Sequence, residues 1–444
     1  MSLPVADLPP WSAAPAAPTA PAARVTDDLT VDIAVVGAGL AGLATAHHLL
    51  DRDPSADVAV VDARRPAAGA SGRGTGLLGP RVGPPIDVAV RRFGPSVARA
   101  AHLASEAAVA DVVALCSAVG AAAGLRPGGQ IVATRSAAGL AALARQDAAY
   151  RSLGLTVPVL SSAEIRRRVG VPYHAGLLYP GAATLDPAAL TRALAAACAA
   201  KGARLLGDSP LLGLRPGDGR TPTELRFAAG TLRARKVVLA VNADAGRLGL
   251  PVGTVLPLRV HALATAPLPP ELRAALGGES GTALIDSAAP APYFRLTPEG
   301  RLVVGGGRVS HAPLPDEEDA ASRDAARRLL EQRLRRLHPA LAEVPVAYRW
   351  SGRIGMTADG LPVVGRVGGH PDIWYIGGCC GHGLAMSAAH GRYVASHLTG
   401  PAPAGSRLPW HRDRAPRLPL GSGPARALLR AYLRRLEREA HRTP

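Results

Sequence analysis

Cysteine and aromatic residues are scarce in this chain of 444 residues. None of its four cysteines, Cys116, Cys198, Cys379 and Cys380, forms a CxxC pair, so the sequence predicts neither a disulfide framework nor a metal site. Aromatic residues make up only 3% of the chain, and no basic cluster is interleaved with them as a nucleic-acid stacking platform requires. The formal net charge of +17 comes mostly from scattered arginines, and we therefore expect no nucleic-acid partner.

The chain also lacks long apolar runs. No run reaches the roughly 18 uninterrupted apolar residues of a membrane span, and the start, MSLPVADLPPWSAAPAAPTAPAARVTDD, has no basic end followed by an apolar stretch. The sequence therefore predicts no membrane span and no secretory signal, and the cytoplasm is the simplest location. Hydrophobic residues nevertheless make up 48% of the chain, and its length exceeds what one core usually supports, so we expect two lobes.

The order of apolar segments predicts a parallel sheet. Residues 1–30 are rich in proline and alanine and are expected to form an irregular arm. A strand at 31–36, a helix at 40–51 and a strand at 57–61 follow. Continuous apolar strands that alternate with helices are typical of a parallel sheet buried on both faces. The segment 250–345 alternates apolar and polar positions instead, which predicts antiparallel strands in a second lobe.

Three glycines, Gly37, Gly39 and Gly42, form a GxGxxG motif between the first strand and the first helix. Glycine inside a helix or strand is less stable than alanine by about 0.5–1 kcal/mol, so this spacing indicates that the backbone approaches another group closely. In dinucleotide-binding turns the first glycine makes the turn, the second admits a pyrophosphate and the third lets helix and strand pack closely. Asp62 stands twenty residues beyond Gly42, where a carboxylate can accept hydrogen bonds from ribose hydroxyls. The motif predicts a dinucleotide site but does not separate NAD from FAD.

The segment after Asp62, ARRPAAGASGRGTG, is similar to the corresponding loop of FAD-dependent oxidoreductases of the D-amino-acid oxidase superfamily. The similarity continues through GLLYPGAATLDPAAL, KVVLAVNADAGRL, PLRVHALATAPL, YFRLTPEGRLVVGGG, WSGRIGMTADGLPVVG and WYIGGCCGHGLAMS, and covers residues 30–400. Within the superfamily, the closing segment most resembles the gamma-glutamylputrescine oxidoreductase branch. The resemblance implies an α/β fold, in which a Rossmann-like FAD-binding domain with a parallel sheet carries an α+β substrate domain with an antiparallel sheet.

These patterns together divide the chain. After the arm, residues 31–85, 150–249 and 346–400 are expected to form a discontinuous FAD-binding domain, and residues 86–149 and 250–345 the substrate or cap domain. Residues 401–444 are expected to form a basic C-terminal extension, in which Leu429, Leu433 and Leu436 have the spacing of a surface helix.

The resemblance implies noncovalent FAD as the cofactor. Asp62 would hold the adenosine ribose, and the start of the last helix would face the flavin pyrimidine, where a helix dipole favours negative charge. Gly74 stands where the family often has Asn, which removes one polar contact. Sarcosine-oxidase relatives carry their flavin-linking cysteine in the segment corresponding to RIGMTADG, which has none here, so noncovalent FAD is favoured. The residues implied to contact FAD are Gly37, Gly39, Gly42, Asp62, Ala63, Arg64, Ser71, Gly72, Arg73, Gly74, Thr75, Gly76, Gly378, Gly381, His382, Gly383 and Leu384.

The resemblance also implies oxidation of a C–N bond, in which a neutral amine or amino acid gives its alpha hydrogen to the flavin as a hydride and the imine is hydrolysed. Arg353 is a candidate anchor for a substrate carboxylate, because a guanidinium can form two parallel hydrogen bonds to it; the alternative is an interlobe or surface salt bridge. Arg295 is a second candidate anchor, or a surface arginine at a strand end. His382 either contacts the flavin or the substrate amine, or only lies beside the helix cap.

The electron acceptor is left open by the sequence. Oxygen is expected, and a quinone or protein acceptor is the alternative. A basic binding protein that uses the dinucleotide fold as a scaffold is a third hypothesis, since a fold alone does not establish an activity. Ala385 stands where sarcosine-oxidase relatives have a carboxylate-binding lysine, so sarcosine is not an expected substrate.

Overall fold

The computed structural model describes residues 7–12, 23–121, 123–288, 291–312, 318–400 and 407–418, together with Ala431, Leu433 and Arg435. The predicted C-terminal surface helix, with Leu429 and Leu436, therefore lies largely outside the described residues.

The described residues form both strands and α-helices, as expected for an α/β protein. In chain order the strands are β1 (Leu29–Val36), β2 (Val58–Val61), β3 (Leu77–Leu78), β4 (Arg126–Pro127), β5 (Gln130–Thr134), β6 (Val159–Ser161), β7 (Ala175–Tyr179), β8 (Ala183–Thr184), β9 (Arg204–Leu206), β10 (Gly213–Arg215), β11 (Thr223–Arg226), β12 (Thr231–Leu239), β13 (Leu256–Pro267), β14 (Ala283–Asp286), β15 (Tyr293–Leu296), β16 (Arg301–Gly305), β17 (Ser310–His311), β18 (Val346–Met356), β19 (Val363–Arg366) and β20 (Ile373–Gly377). The α-helices are α1 (Leu40–Arg52), α2 (Ala70–Arg73), α3 (Ile86–Phe93), α4 (Pro95–Ala118), α5 (Ala137–Ser152), α6 (Ser162–Val169), α7 (Pro187–Ala200), α8 (Pro270–Ala275), α9 (Ala320–Leu337) and α10 (Gly383–Leu398).

The first sheet has eight strands and a parallel centre. Its main path is β10–β11–β12–β1–β2–β9, with β20 paired to β12 and β19 paired to β20. The pairs β12–β1, β1–β2, β2–β9 and β12–β20 are parallel, and the register sets Val36 beside Val61 and Leu239. The neighbouring strands therefore end at one edge, where Gly37 N donates to Val61 O at 2.7 Å and Ala240 N donates to Val36 O at 2.8 Å. This edge is where ligands bind in open α/β sheets.

Both faces of this sheet are buried, as the continuous apolar strands predict. Helices α1, α4, α7 and α10 pack with alternate residues of β1 and β2, such as Val35 and Val60, in one core cluster. Val36 and Val61 belong to a second cluster on the opposite face, which includes Leu225 of the antiparallel β10–β11–β12 extension. The expected parallel sheet is confirmed, and β1 begins at Leu29.

The second sheet has nine strands in the order β17–β13–β16–β15–β14–β5–β7–β6, with β18 paired along the other edge of β13 from Leu256 to Thr265. All of its pairs are antiparallel except β5 with β14. The pairing differs from the sequence assignment in two segments. Strands β6, β7 and β18 join this sheet, although residues 150–249 and 346–400 were assigned to the FAD-binding domain. A local pattern of apolar residues predicts that a strand forms, but it does not indicate which strand it pairs with. The domain division as a whole stays a prediction.

One helix among the described residues, α4, is long and apolar enough to cross a membrane by length and composition. Its residues Ala108, Val112 and Leu115 are buried in the core cluster that also contains α1 and α10.

Candidate active site

The GxGxxG turn connects β1 to α1 at the edge where the parallel strands end. Gly37 has φ +113°, and a Cβ there would lie 2.6 Å from the carbonyl oxygen of Ala240. A Cβ on Gly42 would lie 1.9 Å from the carbonyl oxygen of Gly37, so the helix packs against the turn only because this residue is glycine. A Cβ on Gly39 would lie 2.9 Å from Ser71 Oγ. The turn is therefore tight and close to the loop after β2.

Asp62 lies directly after β2 and orients this turn. Its carboxylate accepts hydrogen bonds from Ala38 N at 2.7 Å and from Arg64 N at 2.8 Å. Burial raises the pKa of Asp62 against the opposing effect of these two backbone donors. Ser71 Oγ accepts from Leu40 N at 2.9 Å, so α2 and the start of α1 are joined. Of the neighbouring residues assigned to FAD, Ala63 and Arg64 are exposed.

The segment from Gly72 to Gly76 is held by side chains from distant parts of the chain. Trp11 Nε1 donates to Gly72 O at 2.7 Å, and Trp350 Nε1 donates to Arg73 O at 2.9 Å. The two indole rings meet edge to face, with centroids 5.6 Å apart. Arg73 in turn donates to Ser351 O at 3.0 Å. Strand β18 and the N-terminal arm therefore fasten the loop that the sequence assigned to the flavin.

Part of the N-terminal arm, which the sequence predicts to be irregular, is ordered around Trp11. Residues Pro10–Ser12 form a 3₁₀ helix, and Trp11 is buried with Ala188, Ala262 and Ala264 between α7 and β13. The Pro- and Ala-rich sequence around it has no periodicity, so no local pattern predicted that this one residue docks.

Arg295 on β15 is fully enclosed. Its Nε donates to Thr75 O at 2.5 Å and its Nη2 donates to Leu185 O at 3.0 Å. A Cβ on Gly76 would collide with Leu185 O at 2.0 Å, which shows how closely these segments approach. Burial lowers the pKa of Arg295 to about 10, so it stays charged at neutral pH. These contacts brace the main chain of the loop and exclude the exposed-arginine alternative.

Arg353 on β18 links the two sheets. Its Nη1 lies 2.8 Å from Asp244 Oδ1, in the 3₁₀ helix Asn242–Leu248 that follows β12. Its Nε donates to Ala312 O at 3.1 Å. These are the contacts of the interlobe salt bridge that the sequence left as one of two alternatives.

The turn between β20 and α10 brings a second helix start to the site. Asn242 Oδ1 accepts from Gly378 N at 2.9 Å, and Cys380 N donates to Gly355 O at 2.9 Å. His382 is the half-buried N-cap residue of α10 and makes no side-chain cap, while Gly383 and Leu384 form the first turn. Desolvation, with the charge of Arg81 as a further cause, lowers the pKa of His382 to about 3, so its imidazole is neutral near pH 7.

The two cysteines of this turn are thiols with different surroundings. Burial raises the pKa of Cys379 to about 12. Cys380 has φ +51° and lies 3.4 Å from Thr357 Oγ1, and burial raises its pKa as well. Neither thiol is activated as a nucleophile. Among the described residues, no group of three or more His, Cys, Asp or Glu side chains is placed to hold a metal ion.

Three further side chains escaped the sequence analysis. Tyr150 and Tyr179 share a hydrogen bond between their hydroxyls at 3.0 Å, although 29 residues separate them. Arg81, in the segment between β3 and α3, is close enough to influence the pKa values of both tyrosines and of His382. Arg81 stands in the run GPRVGPP, where no periodic pattern marks it.

The residues present fit a dinucleotide such as FAD. Helices α1 and α10 both begin without a side-chain cap from their own N-cap residues, Gly39 and His382. Amides in the first turn of a helix that lack such a cap favour anionic groups, and Gly37 and Gly39 have no Cβ to obstruct a phosphate. The Asp62 carboxylate lies at the end of the neighbouring strand, as ribose recognition requires. The FAD-contact assignments themselves remain predictions.

A parallel sheet with a GxGxxG turn, combined with a large antiparallel sheet over its carboxyl edge, defines a two-domain flavin-dependent oxidoreductase. The family model described as FAD dependent oxidoreductase, DAO, matches residues 32–397. The chain belongs to this family, and its cofactor is FAD.

Curated relatives and solved structures agree with this family. Gamma-glutamylputrescine oxidoreductase of Escherichia coli is 30% identical over 396 residues, which are 88% of this chain and 89% of that protein. The probable oxidoreductase OrdL of Rhizobium meliloti is 27% identical over 83% of each chain. Glycine oxidase from Geobacillus kaustophilus has a TM-score of 0.69 at 24% identity, covering 83% of this chain and 95% of that one. L-amino acid deaminase from Proteus vulgaris also has a TM-score of 0.69, at 17% identity, covering 91% and 98%. The likeness to these two structures establishes the fold.

Proposed function

We propose that this enzyme oxidises the C–N bond of an amine or amino acid to an imine, with FAD as hydride acceptor and oxygen as the final electron acceptor. The observation that carries this proposal is the packing of α1 against α10, two helices that receive no side-chain cap from their own N-cap residues, in a protein whose Gly72–Gly76 loop is bonded to the antiparallel sheet. The similarity to gamma-glutamylputrescine oxidoreductase over most of the chain supports an amine as the reductant.

The protein contributes position and electrostatics to this reaction. The α1 turn would hold the pyrophosphate of FAD through backbone amides, and Asp62 would accept hydrogen bonds from the adenosine ribose. Trp350 and Arg295 hold the loop from Gly72 to Gly76 against the substrate sheet. The amides at the start of α10 would stabilise negative charge on a flavin bound beside them. When bound, FAD supplies the acceptor for the hydride.

The substrate loses a hydride from the carbon next to nitrogen and a proton from the nitrogen, which forms the C=N bond. Water then adds to the imine and releases a carbonyl compound and an amine or ammonia. The neutral His382 imidazole, with its pKa of about 3, adds no positive charge that would disfavour binding of a cationic amine. Transfer of two electrons and two protons to oxygen gives hydrogen peroxide, whereas a quinone or protein acceptor gives none.

Flavin bleaching tests the proposal. The protein purified with added FAD is mixed without oxygen with a panel of primary and secondary amines, amino acids and polyamine conjugates, and loss of the visible flavin absorbance is recorded. We expect bleaching by at least one compound and peroxide formation when oxygen is readmitted. Bleaching without peroxide formation would indicate that the electron acceptor is not oxygen. A protein that stays colourless after FAD is added would favour the scaffold hypothesis.

A matched pair of variants tests the cofactor assignment. Asp62→Asn removes the charge that accepts from Ala38 N and is expected to weaken FAD binding by at least tenfold. Asp53→Asn removes a carboxylate just beyond α1 that accepts from Ser55, and this variant is expected to bind FAD as the natural chain does. Equal FAD affinity in both variants would contradict the role of Asp62.

A further inference from the structure

The C-terminal segment 407–418 lies beyond residues 32–397, which the family model matches, and it is bonded to the edge of the first sheet. Strand β19 pairs with β20 on one side. On its other side Val364 forms an antiparallel bridge with Arg412, in which Arg412 N donates to Val364 O at 3.2 Å. Arg366 N donates to Asp413 Oδ1 at 2.8 Å. We call residues 407–418 the C-terminal strap.

The C-terminal strap crosses this edge and is anchored on both faces of the sheet. Trp410 is buried in the core cluster that contains α1 and α10, and its Nε1 donates to His390 Nε2 at 3.0 Å. Beyond the edge, Ala415 is buried in the cluster on the opposite face, and its N donates to Val252 O at 2.8 Å. The backbone of the C-terminal strap is therefore fixed on either side of Arg412.

The guanidinium of Arg412 binds the loop 357–362, which connects β18 to β19. Its Nη1 and Nη2 form a fork with the Asp359 carboxylate, at 2.5 and 3.0 Å. Its Nε donates to Pro362 O at 2.8 Å, and Nη2 also donates to Leu361 O. The side chains of Arg412 and Asp359 are only 18% and 21% exposed, so this pair is screened by salt less than a surface pair. The C-terminal strap therefore holds this loop through one side chain.

The same loop contacts the turn at which α10 begins. Thr357 Oγ1 donates at 2.7 Å to Leu361 O, the carbonyl that Arg412 also binds. Thr357 N donates to Cys380 Sγ at 3.5 Å, and a Cβ on Gly378 would lie 2.8 Å from Thr357 Cγ2. A continuous series of contacts therefore runs from Arg412 through the loop to the turn before α10.

A cover for the edge of β19 would not require these contacts of Arg412. Sheet edges are commonly covered by loops, and the backbone bridge, the Asp413 carboxylate and the buried Trp410 suffice for that role. The Arg412 side chain instead reaches the neighbouring loop and donates to its carboxylate and to two of its carbonyl groups. Charge-assisted hydrogen bonds of this kind fix the geometry of the groups that they join.

We propose that Arg412 is a positioning residue of the FAD site, which fixes the start of α10 through the loop 357–362. This inference rests on the proposed function, in which the α10 amides stabilise negative charge on the bound flavin. The field of a helix start falls off within its first turn, so a displacement of that turn weakens the stabilisation of a nearby anion. Because reduction adds the negative charge, loss of Arg412 should disfavour the reduced cofactor more than the oxidised one.

The midpoint potential of the bound FAD tests this role without any amine substrate. The FAD-loaded protein is titrated with dithionite in the presence of a reference dye. Arg412→Gln should lower the preference for reduced over oxidised FAD at least tenfold, which is a fall of about 30 mV for a two-electron couple. Arg412→Lys keeps the charge but not the fork, and should show a smaller fall. Arg414→Gln changes an exposed arginine of the same C-terminal strap and is the matched control, for which we expect the natural potential.

A purely structural role of Arg412 predicts a different result. Loss of the side chain would then lower the free energy of unfolding, measured with urea, and leave the potential unchanged. A natural potential in Arg412→Gln, or an equal fall in Arg414→Gln, would therefore overturn the proposal. If Arg412→Gln does not retain FAD, Arg412→Lys carries the test, and a natural potential in that variant overturns the proposal.

The same titration separates this inference from the amine-oxidation proposal. A lowered potential in Arg412→Gln, with no amine able to bleach the flavin of the natural chain, would keep the role of Arg412 and refute amine oxidation. Bleaching by an amine, together with equal potentials in Arg412→Gln and the natural chain, would keep amine oxidation and refute the role of Arg412.

Discussion

Removal of the Trp11 side chain is expected to destabilise the protein and loosen the flavin loop together. Trp11 is 5% exposed, donates to Gly72 O at 2.7 Å, meets the Trp350 ring at 5.6 Å and lies 5.4 Å below the Arg295 guanidinium. Replacement of a buried tryptophan by alanine typically costs about 3–5 kcal/mol. Because the arm can detach without the rest unfolding, this range is an upper limit on the loss of global stability.

Trp11→Phe separates packing from hydrogen bonding. Phenylalanine keeps most of the ring contact with Trp350 but leaves the Gly72 carbonyl without its donor, a loss of about 1 kcal/mol. The expected order of unfolding free energies is therefore natural chain, then Trp11→Phe, then Trp11→Ala.

Urea unfolding and FAD titration measure the two effects on the same proteins. Ser12→Ala, which changes the exposed neighbour of Trp11 in the same 3₁₀ helix, is the control and should leave both quantities unchanged. We expect FAD affinity to fall in the same order as stability, because Gly72 belongs to the segment assigned to the cofactor. Trp11→Ala with natural stability and natural FAD affinity would refute the docking of the arm as a support of the site.

Two further predictions concern titration and the interlobe contact. Burial lowers the pKa of His390 to about 3, below 6.5, so between these values the unfolded chain binds a proton that the folded protein does not. Between pH 7 and pH 5, this residue should therefore lower the free energy of unfolding by about 2 kcal/mol. His390→Gln can still accept from Trp410 but does not titrate, so urea unfolding of this variant at the two pH values should lack this decrease. The same pH dependence in His390→Gln and the natural chain would contradict the prediction. Arg353→Gln should lower the free energy of unfolding by at most about 1 kcal/mol, since its partner Asp244 is 45% exposed. The KM of this variant should stay within twofold of the natural value. A tenfold rise in KM would instead favour the hypothesis that Arg353 anchors the substrate.

Local sequence patterns predicted the dinucleotide-binding half of the fold well. The GxGxxG motif lies where predicted, between β1 and α1, and the helix observed at Leu40–Arg52 matches the predicted one. The pairing partners of β6 and β7 were not predicted, because a strand of three to five residues has no local signal for the sheet edge that it joins. The pattern of apolar residues carries no information about that choice.

The candidate site shows the same division. Residues tied to a backbone requirement, such as Gly37 and Gly42, were identified because only glycine fits the turn. Residues that act through distant partners were missed or left with two alternatives. The contacts of Arg353 with Asp244 and of Trp11 with Gly72 form only in the folded chain, and the residues of each pair are more than 60 positions apart in sequence.

The amino-acid sequence by itself determined the order of strands and helices, the glycine turn with its acidic partner, and the membership in a flavin-dependent family. Those features are local, since they depend on backbone freedom and on periodic burial within a few residues. The tertiary structure alone decided that Arg295 and Arg353 are engaged by the protein itself. Arg295 donates to the carbonyls of Thr75 and Leu185, and Arg353 pairs with Asp244. Charge compensation depends on distances across the fold, and these distances arise only when the two sheets come together.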